Sequence, residues 1–273
     1  MQAATPFPNA RHIARQFWQS ILRGGARFMV AVTLTVGIAA CARIQHVATA
    51  PVGAVANSMS GAEKRSAPSA AVSIDELIDD LKHGGYVIVF RHAPTNRDQS
   101  DSDPLNYSDI TRQRRLSAAG VELATKVGYA LRELGVPVGE IYTSKYDRAI
   151  ETGKLIGGHA VTTTLDVTEG GLVATPIEND RRAAALKALV GTMPAEGTNT
   201  IIVTHKPNLI DAFGPDWVSS KDAEATVFKP AGSGTVLVAR LQAQEWLTAA
   251  RRAHVDRLDS AGINPDRPRS TSR

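Results

Sequence analysis

Residues Tyr86-Val87-Ile88-Val89-Phe90-Arg91-His92-Ala93-Pro94-Thr95 constrain this chain more than any other stretch. Tyr86 to Phe90 is apolar and rich in β-branched residues. Gly84-Gly85 and Pro94 bound it, so it reads as a buried strand. An unbroken apolar run suits a parallel sheet covered on both faces. Arg91 and His92 follow at once, at the strand's C-terminal end, where open α/β sheets place ligands. An unpaired guanidinium is costly to bury. The pair at the strand end therefore points to an anion.

The neighbouring segments fit such a sheet. Ser73-Ile74-Asp75-Glu76 has the pattern of a capping box, and Leu77, Ile78 and Leu81 give the helix an apolar stripe. Ser117 caps a second predicted helix, with Val121, Ala124, Val127, Leu131 and Leu134 on one face and Gly135 and Pro137 at its end. Glu140 to Thr143 reads as a strand, and Ser144 to Arg148 turns into a helix reaching about Ile156. Val161 to Leu165 reads as a short strand and Ile177 to Val190 as a helix. Thr200 to Thr204 is an apolar strand with His205 just past its end. Thr235 to Ala239 reads as a last strand. Strands alternate with helices, which makes the class α/β with a mostly parallel sheet. Asn96 to Arg115 is polar and long for a loop without structure, which points to function or disorder. Asp101-Ser102-Asp103 within it reads as solvated acids rather than a metal site. Residues 251–273 are charged and contain proline, and read as a frayed, disordered tail.

The chain has 273 residues, 43% of them hydrophobic and 21% charged, with a net charge of +4. Much of the basic excess lies at the ends, in Arg11, Arg15, Arg23 and Arg27 and in Arg267, Arg269 and Arg273. No basic stripe with interleaved aromatics is present, which argues against nucleic acid as a partner. Phe28 to Ala40 is apolar but shorter than the roughly 20 residues of a membrane-spanning helix. Basic residues precede it and small residues end it, as in a secretory signal peptide. It stops at Cys41, the only cysteine, so no intrachain disulfide is possible. Ile38-Ala39-Ala40-Cys41 resembles a bacterial lipobox, which makes Cys41 the candidate lipidation site. The alternatives are a plain cleaved signal peptide or a short uncleaved anchor. The domain reading is 1–40 signal peptide, 41–72 flexible tether, 73–250 folded domain and 251–273 tail.

Arg91 with His92, Arg148, and His205 each follow a strand closely. Parallel neighbouring strands would bring them to one edge of the sheet. Arginine forks match the oxygens of a phosphoryl group. A neutral imidazole is a competent nucleophile near neutral pH. Any one of these residues alone is weak evidence; four at strand ends indicate a site.

Val89-Phe90-Arg91-His92-Ala93-Pro94-Thr95 resembles the "RHG" signature of the histidine phosphatase superfamily, which has the phosphoglycerate-mutase-like fold. Tyr142-Thr143-Ser144-Lys145-Tyr146-Asp147-Arg148-Ala149-Ile150-Glu151-Thr152 resembles its second motif, and Ile202-Val203-Thr204-His205 its third. Gln113-Arg114-Arg115-Leu116-Ser117-Ala118-Ala119-Gly120 resembles the lead into its first long helix. The resemblance covers about Tyr86 to Arg240. It implies a three-layer α/β/α sandwich in which His92 is the nucleophile that becomes a phosphohistidine. Nδ1–H of His92 would be held by a backbone carbonyl, and Arg91, Arg148 and His205 would hold the phosphoryl oxygens. No metal or cofactor is implied. The family's glycines after the two histidines are here Ala93 and Lys206. Lys206 either adds a cation to the pocket or points outward; Thr95 and Asn96 are further substrate-binding candidates. Glu169 is the best positional match for the general acid, with Asp98, Asp101 and Asp211 in reserve. Asp211 to Pro230 is expected at the pocket mouth with the 96–115 loop.

The resulting expectation is an exported, lipid-anchored envelope or periplasmic phosphomonoesterase acting on a small-molecule or phosphopeptide ester. The alternatives are a catalytically weak phosphate-binding lipoprotein and a phosphoglycerate-mutase-type phosphotransferase. A binding protein would lack a carboxylate in reach of the pocket, and a mutase would depend on a bisphosphorylated primer.

Overall fold

The structure, a computed structural model, describes residues 73–170, 173–232 and 234–261. All of them fall within one unit, Lys64–Arg273. The signal peptide, Cys41, the tether and the last twelve positions of the expected tail (262–273) lie outside the described residues.

Helix α1 (Ile74–Lys82) starts on the capping box read from the sequence: Glu76 N–H donates to Ser73 Oγ at 3.2 Å, and Ser73 N–H donates back to the Glu76 carboxylate at 3.1 Å. Gly84 then takes a left-handed φ of 77°, and a Cβ there would strike the Thr198 backbone. Strand β1 (Val87–Arg91) follows, then α2 (Ala118–Glu133), β2 (Val138–Thr143) and α3 (Asp147–Gly157). After these come β3 (Thr162–Thr163), α4 (Pro176–Val190), β4 (Asn199–Thr204) and α5 (Lys206–Phe213). The chain closes with β5 (Ala225–Ala231), β6 (Gly234–Leu241) and α6 (Ala243–Ser260).

The six strands form one sheet in the order β3-β2-β4-β1-β5-β6. The first four are parallel; β5 is antiparallel to β1, and β6 to β5. The α/β class and the mostly parallel sheet expected from the sequence are what the structure has. Strand β1 sits centrally, with both faces buried. Ile88 and Phe90 enter the core formed with α1, α2, α3 and α6; Val87 and Val89 enter the opposite core with α4, α5 and Trp217. A strand covered on both faces needs apolar side chains at every position, which is why β1 does not alternate.

Two expectations are corrected. The chain does not fray at residue 251: α6 continues to Ser260. Trp246, Ala249 and Ala250 are buried against the sheet, and Glu133 of α2 binds both His254 and Arg257. The charges that looked like a solvated tail are the outer face of an amphipathic helix. The segment from Asp211 to Pro230 is not simply a pocket mouth. It holds the end of α5, a 3₁₀ turn (Pro215–Ser219) and most of β5, a strand of the central sheet. Its pairing with β1 and β6 was not read from the sequence, because Lys229-Pro230 interrupts the apolar pattern.

Candidate active site

The C-terminal ends of β1, β2 and β4 lie side by side, with Arg91 opposite Thr204 and Thr143 opposite Val203. Chain direction alone therefore brings together the residues that follow each strand. The His92 and His205 ring centroids are 5.1 Å apart. Arg148, in the first turn of α3, is completely buried beside them, with its guanidinium 4.1 Å from the Tyr146 ring centroid. The three sequence motifs thus converge as expected.

His92 is 3% exposed, and its Nδ1 lies 2.8 Å from the Ala93 carbonyl oxygen. A carbonyl only accepts, so Nδ1 carries the proton and the Nε2 lone pair is free. Burial pushes the His92 imidazole well below its ordinary value, and the nearby His205 and Arg148 push it the same way. Ala93 N–H donates to Thr152 Oγ1 at 3.1 Å, tying the strand end to α3. Ala93 is buried and outside the left-handed region, so its methyl group brings no backbone strain where the family pattern has glycine. On the next segment, a Cβ at Gly120 would strike the Pro94 carbonyl, which also accepts from Ser117 N–H at 3.0 Å. The small residue at 120 lets α2 begin directly against the chain that carries His92.

His205 is fully buried at the end of β4. Tyr146 N–H donates to Ser144 Oγ at 3.1 Å, and that hydroxyl lies 2.7 Å from His205 Nε2. With the Ser144 proton directed to Nε2, Nδ1–H faces Glu169, whose Oε1 is 3.5 Å away. Burial holds the His205 imidazole well below its usual range, followed in effect by Arg148, Arg114 and Arg91.

The cations are each tethered. Arg91 donates to the Ser220 carbonyl at 2.7 Å and pairs with Asp222 at 2.7 Å. Asp222 is aimed by a turn in which Ala223 has a φ of 58° and donates its N–H to the His92 carbonyl. Arg148 binds Glu169 through Nη2 and Asp101 through Nη1, the latter at 3.0 Å. Its Nε is buried without a partner, as is His205 Nδ1 by hydrogen-bond geometry.

Glu169, the candidate acid, is in contact with both Arg148 and His205. Its backbone is fixed from below: the Thr168 carbonyl accepts from Arg182 at 3.0 Å and from Asn208 at 3.2 Å. The reserve acids separate. Asp211 is exposed on α5, and its carboxyl is raised by partial burial and by Asp180 of α4. Asp98 is exposed. Asp101 is no solvated loop acid; it reaches into the site. Lys206 is the first residue of α5 and half-buried, and its side chain makes no hydrogen bond or ion pair among the described residues. Thr95 Oγ1 accepts from Arg114 at 2.5 Å, and the Asn96 amide donates to the Leu116 carbonyl at 3.2 Å. Both side chains thus fasten the start of the 96–115 segment to its end.

The sequence reading held Asp101 only as a reserve acid and missed Arg114, Ser144, Thr152, Arg182, Asn208 and Asp222 as parts of the site. Arg114, Ser144 and Thr152 lay inside the quoted motifs. The others are ordinary polar residues whose role depends on the tertiary fold. Among the described residues no group of three or more His, Cys, Asp or Glu is placed to hold a metal, and no helix is long and apolar enough to cross a membrane.

Two neutral, buried histidines make stability depend on pH. Between their depressed native values and the ordinary value of about 6.5, the unfolded chain binds more protons than the folded one. Stability therefore rises with pH across that window and is lost as pH falls below about 6.5, by up to about 1.4 kcal/mol per pH unit for each histidine. Urea midpoints taken at pH 7.5, 6 and 5 should fall steadily, and His205→Asn should flatten the slope. An unchanged midpoint from pH 7.5 to 5 would contradict the neutral assignment.

No family model matches the chain, and no curated protein matches it. Among solved structures it is similar to the protein histidine phosphatase SixA complexed with tungstate, at 17% identity and a TM-score of 0.42, covering 59% of this chain and 98% of that one. It is similar to a mycobacterial glucosyl-3-phosphoglycerate phosphatase at 14% identity and a TM-score of 0.42, covering 57% and 98%. A phosphoserine phosphatase from Entamoeba histolytica in complex with 3-phosphoglyceric acid matches at 15% identity and a TM-score of 0.41, covering 59% and 98%. The segments that meet at this site are the ones whose sequence resembles the motifs of the histidine phosphatase superfamily.

Proposed function

We propose that this protein hydrolyses a phosphomonoester through a phosphohistidine on His92. The observation that carries this reading is the His92 ring: one nitrogen is capped by the Ala93 carbonyl and the other is free, beside a second histidine and two buried or half-buried arginines. In the first step Nε2 attacks phosphorus, the P–O ester bond breaks, and the leaving alkoxide takes a proton from Glu169, which takes up that proton from solvent before the step and is left as the carboxylate paired with Arg148. In the second, water attacks phosphorus, the P–N bond breaks, and inorganic phosphate leaves as Glu169 takes the water's proton. Arg91, Arg148 and His205 offset the charge on the transferring group. Carboxylates do reach the site, which favours hydrolysis over a binding-only role. The test is p-nitrophenyl phosphate turnover from pH 4 to 8, with acid quench-free trapping of the phosphoenzyme, since a P–N bond is labile in acid and survives base. No turnover over that range, with no base-stable phosphoenzyme, counts against the reading.

The reading includes export and a lipid anchor at Cys41, supported by the basic segment, the apolar run Phe28–Ala40 and the Ile38-Ala39-Ala40-Cys41 sequence. Its substrate is then an ester met in the envelope rather than a cytoplasmic mutase substrate. Cys41→Ser should move the protein from the membrane fraction to the soluble or precursor fraction. Unchanged fractionation would remove the anchor from the proposal.

A further inference from the structure

We propose that Asp101 is a latch that sets the protein's affinity for phosphate: in the resting state its carboxylate holds the guanidinium that a phosphoryl group needs, and the phosphoryl group displaces it together with the segment that carries it. This inference rests on the oxyanion-pocket reading above.

The segment between Asn96 and Arg115 is folded onto itself. Ser102 N–H donates to the Arg112 carbonyl at 2.9 Å, the Gln113 amide donates to the Tyr107 carbonyl at 3.0 Å, and Asp109 caps a 3₁₀ turn at Ile110–Arg112. It is also docked on the site. Tyr146 Oη donates to the Pro104 carbonyl at 3.1 Å, and Tyr107 meets the Tyr146 ring edge-on at 5.2 Å. One carboxylate oxygen joins these two sets of contacts. Asp101 Oδ1 accepts from Arg114 N–H at 2.9 Å, within the segment, and from Arg148 Nη1 at 3.0 Å, across to the body.

With the segment docked, the site lies deep, and its rim is formed by the partly exposed side chains of Arg91, Asp101 and Glu169. His92 is 3% exposed, and Arg148 and His205 are fully buried. A phosphoryl group that takes an Nη donor of Arg148 must displace one of the two carboxylates that hold them. The two carboxylates on Arg148 differ in this respect. Glu169 follows a backbone pinned by Arg182 and Asn208, whereas Asp101 is borne by the surface segment. A phosphoryl dianion and the Asp101 carboxylate cannot share one guanidinium cheaply, because like charges in contact cost several kcal/mol. When Asp101 leaves, Arg148 Nη1 becomes a free donor for a phosphoryl oxygen. Bound anion and docked segment therefore compete for Arg148 Nη1.

The test uses inorganic phosphate as the probe, with wild type, Asp101→Asn and Asp98→Asn. Asparagine keeps the oxygen that Arg114 N–H requires and removes the charge. Asp101→Asn should bind phosphate about tenfold more tightly and lower KM for p-nitrophenyl phosphate by a similar factor. Asp98→Asn removes the same charge from an exposed position of the same segment and should leave phosphate affinity unchanged. In wild type, saturating phosphate should speed amide hydrogen exchange over residues 99–114. If wild type binds phosphate and Asp101→Asn binds it no more tightly, or if phosphate leaves that exchange unchanged, the latch is wrong. An equal gain in Asp98→Asn would reduce the effect to net charge and also overturn it. If neither wild type nor Asp101→Asn binds phosphate, it is the oxyanion pocket itself that fails.

Discussion

Replacing His92 by alanine is expected to lower kcat/KM for phosphomonoester hydrolysis by at least about 10³-fold and to abolish the base-stable phosphoenzyme. The expectation follows from geometry. Nucleophilic catalysis here needs an unprotonated ring nitrogen held in a fixed direction. The Ala93 carbonyl fixes both the tautomer and the ring, and burial keeps the ring neutral. No other side chain at the site duplicates that arrangement. His205 is the nearest candidate, but its Nε2 is engaged by Ser144 and its Nδ1 faces Glu169. The alanine variant should still fold, because the strand end remains tied through Ala93 N–H to Thr152 and through the His92 backbone to Thr204 and Ala223. It should also still bind inorganic phosphate through the arginines. That combination, binding without turnover, separates loss of a nucleophile from collapse of the pocket. A variant that keeps wild-type turnover would remove the phosphohistidine from the mechanism.

The sheet and its site were legible in the sequence where one residue pattern had one physical solution. Val87 to Phe90, rich in β-branched residues and bounded by Gly84-Gly85 and Pro94, read as a strand covered on both sides, with Arg91-His92 at its exit. The Ser73–Glu76 box and the Ser117 cap marked two helix starts, because a side-chain oxygen within three residues of an unpaired N–H is a local signal. Glu169 was found by position between motifs, and the structure puts it against Arg148 and His205. What stayed hidden was tertiary. Strand β5 contains Lys229-Pro230, and its edges are defined only by pairing with β1 and β6. Helix α6 carries a stripe of Trp246, Ala249 and Ala250 so narrow that its charged face dominated the reading. Asn199 is an unremarkable residue in sequence, yet its side chain accepts from Tyr86 N–H and donates to the Leu81 and Pro137 carbonyls, joining three segments. Asp101 looked solvated because nothing local says that a loop acid has an arginine partner 47 residues away.

Arg148→Ala is expected to be damaging in two separable ways. The first is stability. The guanidinium is fully buried against Tyr146 and neutralises Asp101 and Glu169, whose side chains are 19% and 18% exposed. Removing it leaves two carboxylates together without their shared cation, and breaking a buried pair in this way costs about 3–5 kcal/mol. The second is chemistry. With the cation gone, the transferring phosphoryl group loses its most buried donor, a loss of about 10³-fold in kcat/KM by the scale of single charge-stabilising groups. The two effects part in a double variant. Asp101→Asn in the Arg148→Ala background removes one of the stranded charges, so it should recover part of the lost urea midpoint, while turnover stays low. Arg148→Lys restores charge but not the planar fork. A lysine cannot hold Glu169 and a phosphoryl oxygen in the same plane, so it should regain stability more fully than rate. Equal recovery of both by lysine would show that Arg148 acts as a point charge, and the bidentate part of the mechanism would have to be given up.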